Sequence, residues 1–219
     1  MALNITSILD EIVDVLKNND VISTTTRGVT RATETFNGDG STVEFDLTND
    51  VVKNVKTISI GGTEKSFGTD YSIDYNSATT TVTFGTAPTN GTDNVSIQYD
   101  HSTTSDKIYP DAVRDDISSA SLPRISVCWL GAESTPLGLG GDAVLTSPVL
   151  SISAYDRSEK KVNDYIYSTR DVMLTNSTTG YYYKCILPTN IGPMLPWDKT
   201  KGDEILFRVA DFRIYLEKE

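Results

Sequence analysis

The stretch from Tyr109 to Asp156 constrains the fold more than any other part of the chain. An approach segment ends at Leu122-Pro123 and is followed by Arg124–Leu130 (RISVCWL), a glycine-rich segment and then Val149–Tyr155 (VLSISAY). Both flanking runs carry β-branched and aromatic residues with turn formers at their ends, which predicts a pair of strands. Between them, Thr135-Pro136-Leu137-Gly138-Leu139-Gly140-Gly141 is too rich in glycine and proline to form a helix or to pack alone. Its leucines need a surface from elsewhere. Leu137, Gly138, Leu139, Gly140, Gly141 and Asp142 are therefore the candidate subunit or partner contact.

Two helices are expected around this unit. Ile5, Ile8, Leu9, Ile12, Val13 and Leu16 fall at i, i+3, i+4, i+7, i+8 and i+11, giving a continuous apolar face over residues 4–17, with Asn4 as N-cap. Val162, Tyr165, Ile166, Thr169, Val172 and Met173 give a second helix over residues 159–174, capped by Ser158. An amphipathic helix as short as the first is marginal in water, so its stripe must dock on a sheet or on a neighbouring subunit, with a sheet favoured. Strands are expected at Gly180–Leu187 and Ile205–Leu216, with a proline-bearing loop from Pro188 to Lys201. This order predicts an α+β domain, an antiparallel sheet with two helices packed on it.

A different pattern occupies the middle of the chain. Val21–Ala32 (VISTTTRGVTRA) reads as a linker or extended arm, and His101–Asp106 (HSTTSD) as a second linker. Between them Val43–Leu47, Val55–Ile60, Tyr71–Tyr75, Thr81–Phe84 and Asn94–Tyr99 are short strand texts separated by turn formers, including Gly61-Gly62 and Asn76-Ser77. Residues 33–101 are thus an expected β-sandwich-like insertion, and residues 1–32 with 102–219 the α+β domain that it interrupts. Asn37-Gly38-Asp39-Gly40-Ser41 lacks the further acidic ligands of a calcium loop and reads as a tight turn.

Charge and chemistry narrow the function. With 19 basic and 30 acidic residues, the chain has a net charge of −11, opposite to what a grip on phosphates requires. No apolar run approaches the ~20 residues of a membrane span, and no secretory signal opens the sequence, so production and use in cytosol are expected. Cys128 and Cys185 lie in apolar strand texts and read as buried reduced thiols; a disulfide would need their strands to be neighbours. One histidine and no Cys-x-x-Cys pair leave no metal expected, and no cofactor motif is present. Asp115-Asp116 reads as a solvated or subunit-facing pair. No catalytic constellation emerges, and the chain is expected not to be an enzyme.

Two resemblances sharpen this reading. FNGDGSTVEFDLTNDVVKNVKTISIGG and GTDYSIDYNSATTTVTFGTAPTNGTDNVSIQYD resemble β-modules of tail, neck and decoration components of tailed viruses. The N-terminal amphipathic helix, LPRISVCWLG, the GLGG segment, SPVLSISAYDR and EKKVNDYIYSTRDVML resemble the tail-terminator and head-to-tail joining proteins of long-tailed viruses, over residues 4–17 and roughly 107–218. The inserted β-module and the scarcity of basic residues near GLGG depart from that pattern. The resemblance implies a structural virion protein assembled in host cytoplasm. It implies a ring, commonly a hexamer, that terminates the tail tube and meets the tail tube protein and a neck or head-completion connector, with DNA passing through without specific binding. A receptor- or carbohydrate-binding tail component, another neck or tail-tube component, and a hydrolase are the alternatives.

Overall fold

The computed structural model describes residues 5–49, 51–75, 79–103, 107–110, 122–136, 144–176, 185–196 and 205–215. It has a mixed α+β architecture with mostly antiparallel strands, divided into two compact units, Met1–Ile22 with Lys107–Glu219 and Ser23–Asp106.

In the first unit, helix α1 spans Ile5–Asn18 and buries Ile8, Ile12, Val13 and Leu16, as its apolar spacing requires. The expected cap, Asn4, lies outside the described residues. In the second unit the expected linker is folded. Helix α2 (Thr24–Arg27) is capped by Ser23, whose Oγ accepts from the Thr26 amide, and strand β1 runs from Thr30 to Gly38. The unit accordingly begins at Ser23 rather than at residue 33. A threonine-rich text without large apolar residues looks like a linker, but α2 is held by a buried arginine that hydropathy does not register.

The second unit continues through β2 (Glu44–Asp46), β3 (Val52–Ile60), β4 (Thr63–Glu64), β5 (Tyr71–Tyr75), β6 (Thr80–Phe84) and β7 (Gly91–His101). Its strands form two sheets, in the orders β1-β7-β3-β4 and β2-β6-β5. Phe45, Leu47, Tyr71, Val82 and Phe84 from one meet Val52, Val55, Ile58, Val95, Ile97 and Tyr99 from the other in a single core. Phe45 packs edge-on against both Phe36 and Phe84. Gly61 and Gly62, at φ of 57° and 79°, form the two-residue turn between β3 and β4, a conformation that residues with a Cβ resist.

Turn chemistry accounts for the acidic loop after β1. Asp39 accepts from the amides of Ser41 and Thr42 at 2.8 and 2.6 Å and from the Thr42 hydroxyl at 2.7 Å. These bonds hold its carboxyl well below the usual carboxylate range. The tight turn is a local Asx-type structure that already employs the aspartate.

The first unit resumes with β8 (Ile108–Tyr109), β9 (Arg124–Pro136), β10 (Val144–Asp156), helix α3 (Glu159–Thr175), β11 (Cys185–Ile191), β12 (Leu195–Pro196) and β13 (Leu206–Tyr215). The sheet order is β11-β13-β10-β9-β8, with β12 added alongside β13. All pairings are antiparallel except β8 with β9, which is parallel. Residues from α1 and α3 share one core with Ile125, Val127, Leu150, Ile152, Ala154, Ile186, Ala210, Phe212 and Ile214. Those strand positions alternate, so both helices lie on the same face of the sheet.

Several sequence expectations change in detail. Strands β9 and β10 extend well beyond the predicted Arg124–Leu130 and Val149–Tyr155, because strand pairing continues into text with little hydrophobic signal. The loop expected from Pro188 contains the end of β11 and all of β12. Ser158 occupies the N-cap position of α3, but its side chain makes no cap bond. Its amide instead donates to Asp156 Oδ1 at 2.9 Å. Cys128 is half-buried rather than buried. Its strand, β9, is separated from the strand of Cys185, β11, by β10 and β13. At ~4.8 Å per strand, that spacing is too wide for an intrachain disulfide. Asp115 and Asp116 lie outside the described residues.

The shifted boundary changes where the insertion should be cut. The Arg27 guanidinium donates to Asp100 and Asn54, which both lie within Ser23–Asp106. Removing Ser23–Asp106 and joining Ile22 to Lys107 through a short glycine-serine bridge should leave a soluble remainder with a cooperative thermal transition. Calorimetry checks this; an insoluble product without a transition would show that the remainder depends on the insertion.

Candidate interaction surface

Cross-strand register places the odd-numbered residues of β10 and β13 opposite the helices, together with the even-numbered residues at the start of β9. Helices α1 and α3 of the same unit both lie on the other face. Arg124, Tyr155 and Phe207 form the first row of the helix-free face, and Tyr155 stacks on Phe207 with ring centroids 5.6 Å apart. Ser126, Ser153 and Val209 form the second row, joined by Tyr109, the partner of Ser126 on β8. Cys128, Ser151 and Asp211 form the third, and Val149, Arg213 and Leu187 the fourth.

Side-chain contacts link the first two rows. The Arg124 guanidinium lies 4.0 Å from the centre of the Tyr109 ring, and its Nε donates to Ser126 Oγ at 3.0 Å. Ser126 is fully buried. Burial pushes the Tyr155 hydroxyl up to about 12, with the Ser153 hydrogen bond and Arg124 opposing the rise and Cys128 adding to it. Tyr155 therefore keeps its proton at physiological pH and can donate a hydrogen bond. Among the described residues, no group of three or more His, Cys, Asp or Glu is placed to hold a metal ion. The face carries hydroxyls, guanidinium groups and flat aromatic rings.

One end of the sheet projects. Strand β13 pairs with β10 only from Val149 to Asp156, and β8 pairs with β9 only at Ile125 and Ser126. Beyond those limits β9 and β10 continue as a ribbon, from Ala132↔Pro148 to Thr135↔Leu145 and Pro136↔Val144. Five residues per strand give this arm a length of about 17 Å. Its root is a bulge: Trp129 pairs with Leu150 and Gly131 with Val149, which leaves Leu130 out of register and 60% exposed.

The predicted contact residues Leu137, Gly138, Leu139, Gly140, Gly141 and Asp142 all lie outside the described residues. They fall in the chain between Pro136 and Val144, the paired ends of the arm. Apart from Cys128, read there as a buried thiol, the residues of the helix-free face were not singled out by sequence. Alternation in VLSISAY shows that β10 has two faces, but nothing in the text shows that Val149 adjoins Arg213 or that Tyr155 adjoins Phe207. Comparisons with protein-family models and with curated proteins give no match to this chain, so its function has to be argued from its own residues. No helix among the described residues is long and apolar enough to cross a membrane.

Proposed function

We propose that the chain is a structural virion protein that forms a ring, terminates the tail tube and joins it to the neck of a tailed virus. The arm of β9 and β10 carries the argument, because it is a projecting ribbon at one end of a sheet whose two edges are unlike. Unlike surfaces favour head-to-tail contacts, and head-to-tail contacts close into rings when the rotation allows. The net charge of −11 suits a lumen through which DNA passes, since acidic walls repel phosphates instead of holding them. The sequence resemblance to tail-terminator proteins supplies the place in the virion, between the tail tube protein and a connector of the neck or head-completion type.

Sedimentation velocity and negative-stain imaging of the purified full chain test this reading. A single closed ring size at tens of micromolar, commonly six subunits, is expected. A monomer that stays monomeric at that concentration, also in the presence of tail tubes, would remove the ring from consideration.

A further inference from the structure

The sequence contains two Asn-Gly steps, Asn37-Gly38 and Asn90-Gly91, and the fold treats them differently. In such a step the backbone nitrogen of the glycine can attack the side-chain carbonyl carbon of the asparagine, because no Cβ crowds the approach. Both asparagines are exposed, and both lie at the corner where β1 ends and β7 begins.

At Asn37-Gly38 both reacting groups are tied. The Gly38 amide donates to Asn94 Oδ1 at 2.7 Å, and Asn37 Oδ1 accepts from the Asp93 amide at 2.7 Å. Cyclisation there has to break both bonds. Asn90 is in the opposite situation, since among the described residues its side chain makes no hydrogen bond. Gly91 is held to β1 by the single pair Gly38↔Gly91, which a register shift separates from the ladder that begins at Phe36↔Val95. Strand ends of this kind open locally at small cost. Packing also fixes the glycine in place: a Cβ at position 91 would lie 2.8 Å from Asn94 Nδ2, which is itself held by a bond to the Thr89 carbonyl at 2.7 Å. The residue that makes the step reactive is therefore one that the corner requires.

We propose that Asn90 is a site of spontaneous deamidation, and that the bonds from Gly38 to Asn94 and from Asp93 to Asn37 protect Asn37 from the same reaction. The Gly91 nitrogen forms a bond to Asn90 Cγ and gives up its proton, and the side-chain nitrogen leaves as ammonia, which closes a succinimide ring. Water then adds to either ring carbonyl and opens the ring, giving aspartate or isoaspartate at position 90. Solvent water is the only co-reactant. Each event adds a negative charge to the corner, and the isoaspartate product also lengthens the main chain next to the Thr89 carbonyl that Asn94 holds.

Mass spectrometry over a time course tests the site. The full chain is incubated in mildly alkaline buffer made with heavy-oxygen water, folded in one sample and unfolded by urea in another, and the peptides spanning each step are quantified. In the folded chain, label should enter at residue 90, with residue 37 converting roughly tenfold more slowly because two hydrogen bonds stand in its way. In urea the two steps should convert at similar rates, which assigns the difference to the fold. Asn94→Ala frees the Gly38 amide and should speed conversion of Asn37. Circular dichroism shows whether that variant is folded, and where it is not, the folded and unfolded samples of the unaltered chain decide alone. Equal rates at the two steps in the folded chain, faster conversion at Asn37, or an Asn90 that stays intact overturns the proposal.

Discussion

Replacing Asp100 with alanine should destabilise the second unit by about 3–5 kcal/mol, the cost of leaving a buried charge without its partner. Asp100 is fully buried on β7. Its Oδ2 accepts from Arg27 Nη1 at 3.0 Å, and its Oδ1 accepts from Arg31 Nε at 2.8 Å. Arg27, also fully buried, donates from Nη2 to Asn54 Oδ1 at 2.9 Å. Asn54 and Arg31 both stand opposite Asp100 in the sheet, so one carboxylate ties together β1, β7, β3 and α2. Without it, the Arg27 guanidinium is left in a buried site facing an amide oxygen and the positive charge of Arg31. For a unit of this size, each kcal/mol lowers the melting temperature by roughly 4–8 °C. Hydrogen exchange resolved to Thr30–Gly38 and Gly91–His101 reads the loss where it occurs. Arg31→Ala should cost much less, because that side chain is partly exposed and its removal leaves the Arg27–Asp100 pair intact. Replacing Arg27 and Asp100 together by apolar residues of similar volume should also cost less than Asp100→Ala alone. If Asp100→Ala leaves exchange in β1 and β7 unchanged, the cluster does not hold the unit together.

This cluster marks the limit of what the sequence discloses. The α1 stripe was legible because Ile8, Ile12 and Leu16 repeat with the helix period and one docking face suffices to explain them. The hairpin of β9 and β10 was legible for a similar reason, since turn formers and alternating apolar residues are local signals. Arg27 carries no such signal. In VISTTTRGVTRA it looks solvated, and only the ladder that brings Asp100 and Asn54 together, 73 and 27 residues away, makes it a buried anchor. The helix-free face was hidden for the same reason, because register across β9, β10, β13 and β11 is a non-local property. Glu34 is a further case. Burial alone would raise its pKa, but hydrogen bonds from Tyr99, Thr48 and Asn49 outweigh that and hold its carboxyl below the usual range. A carboxyl lowered on folding contributes stability that is present above its unfolded pKa and is lost as pH falls through the folded one. The second unit should therefore weaken on acidification, which a local reading of TRATETF does not show.

Phe212→Ala should be as damaging in the first unit as Asp100→Ala is in the second, at about 3–5 kcal/mol, for the reason that governs large-to-small changes in packed cores. Phe212 is fully buried on β13, the strand between β10 and β11, and belongs to the core shared by α1, α3 and the sheet. It stands opposite Leu150 on one neighbour and Pro188 on the other, so the atoms around it are fixed by two ladders and have little freedom to close a cavity. Trp129 packs against the same core and provides a fluorescence signal for urea titration. The adjacent positions supply the control, since Asp211 and Arg213 project from the opposite face and are only partly buried. Arg213→Ala should therefore change the urea midpoint much less than Phe212→Ala. Equal midpoint shifts at 212 and 213 would mean that the second face is as tightly packed within one subunit as the first.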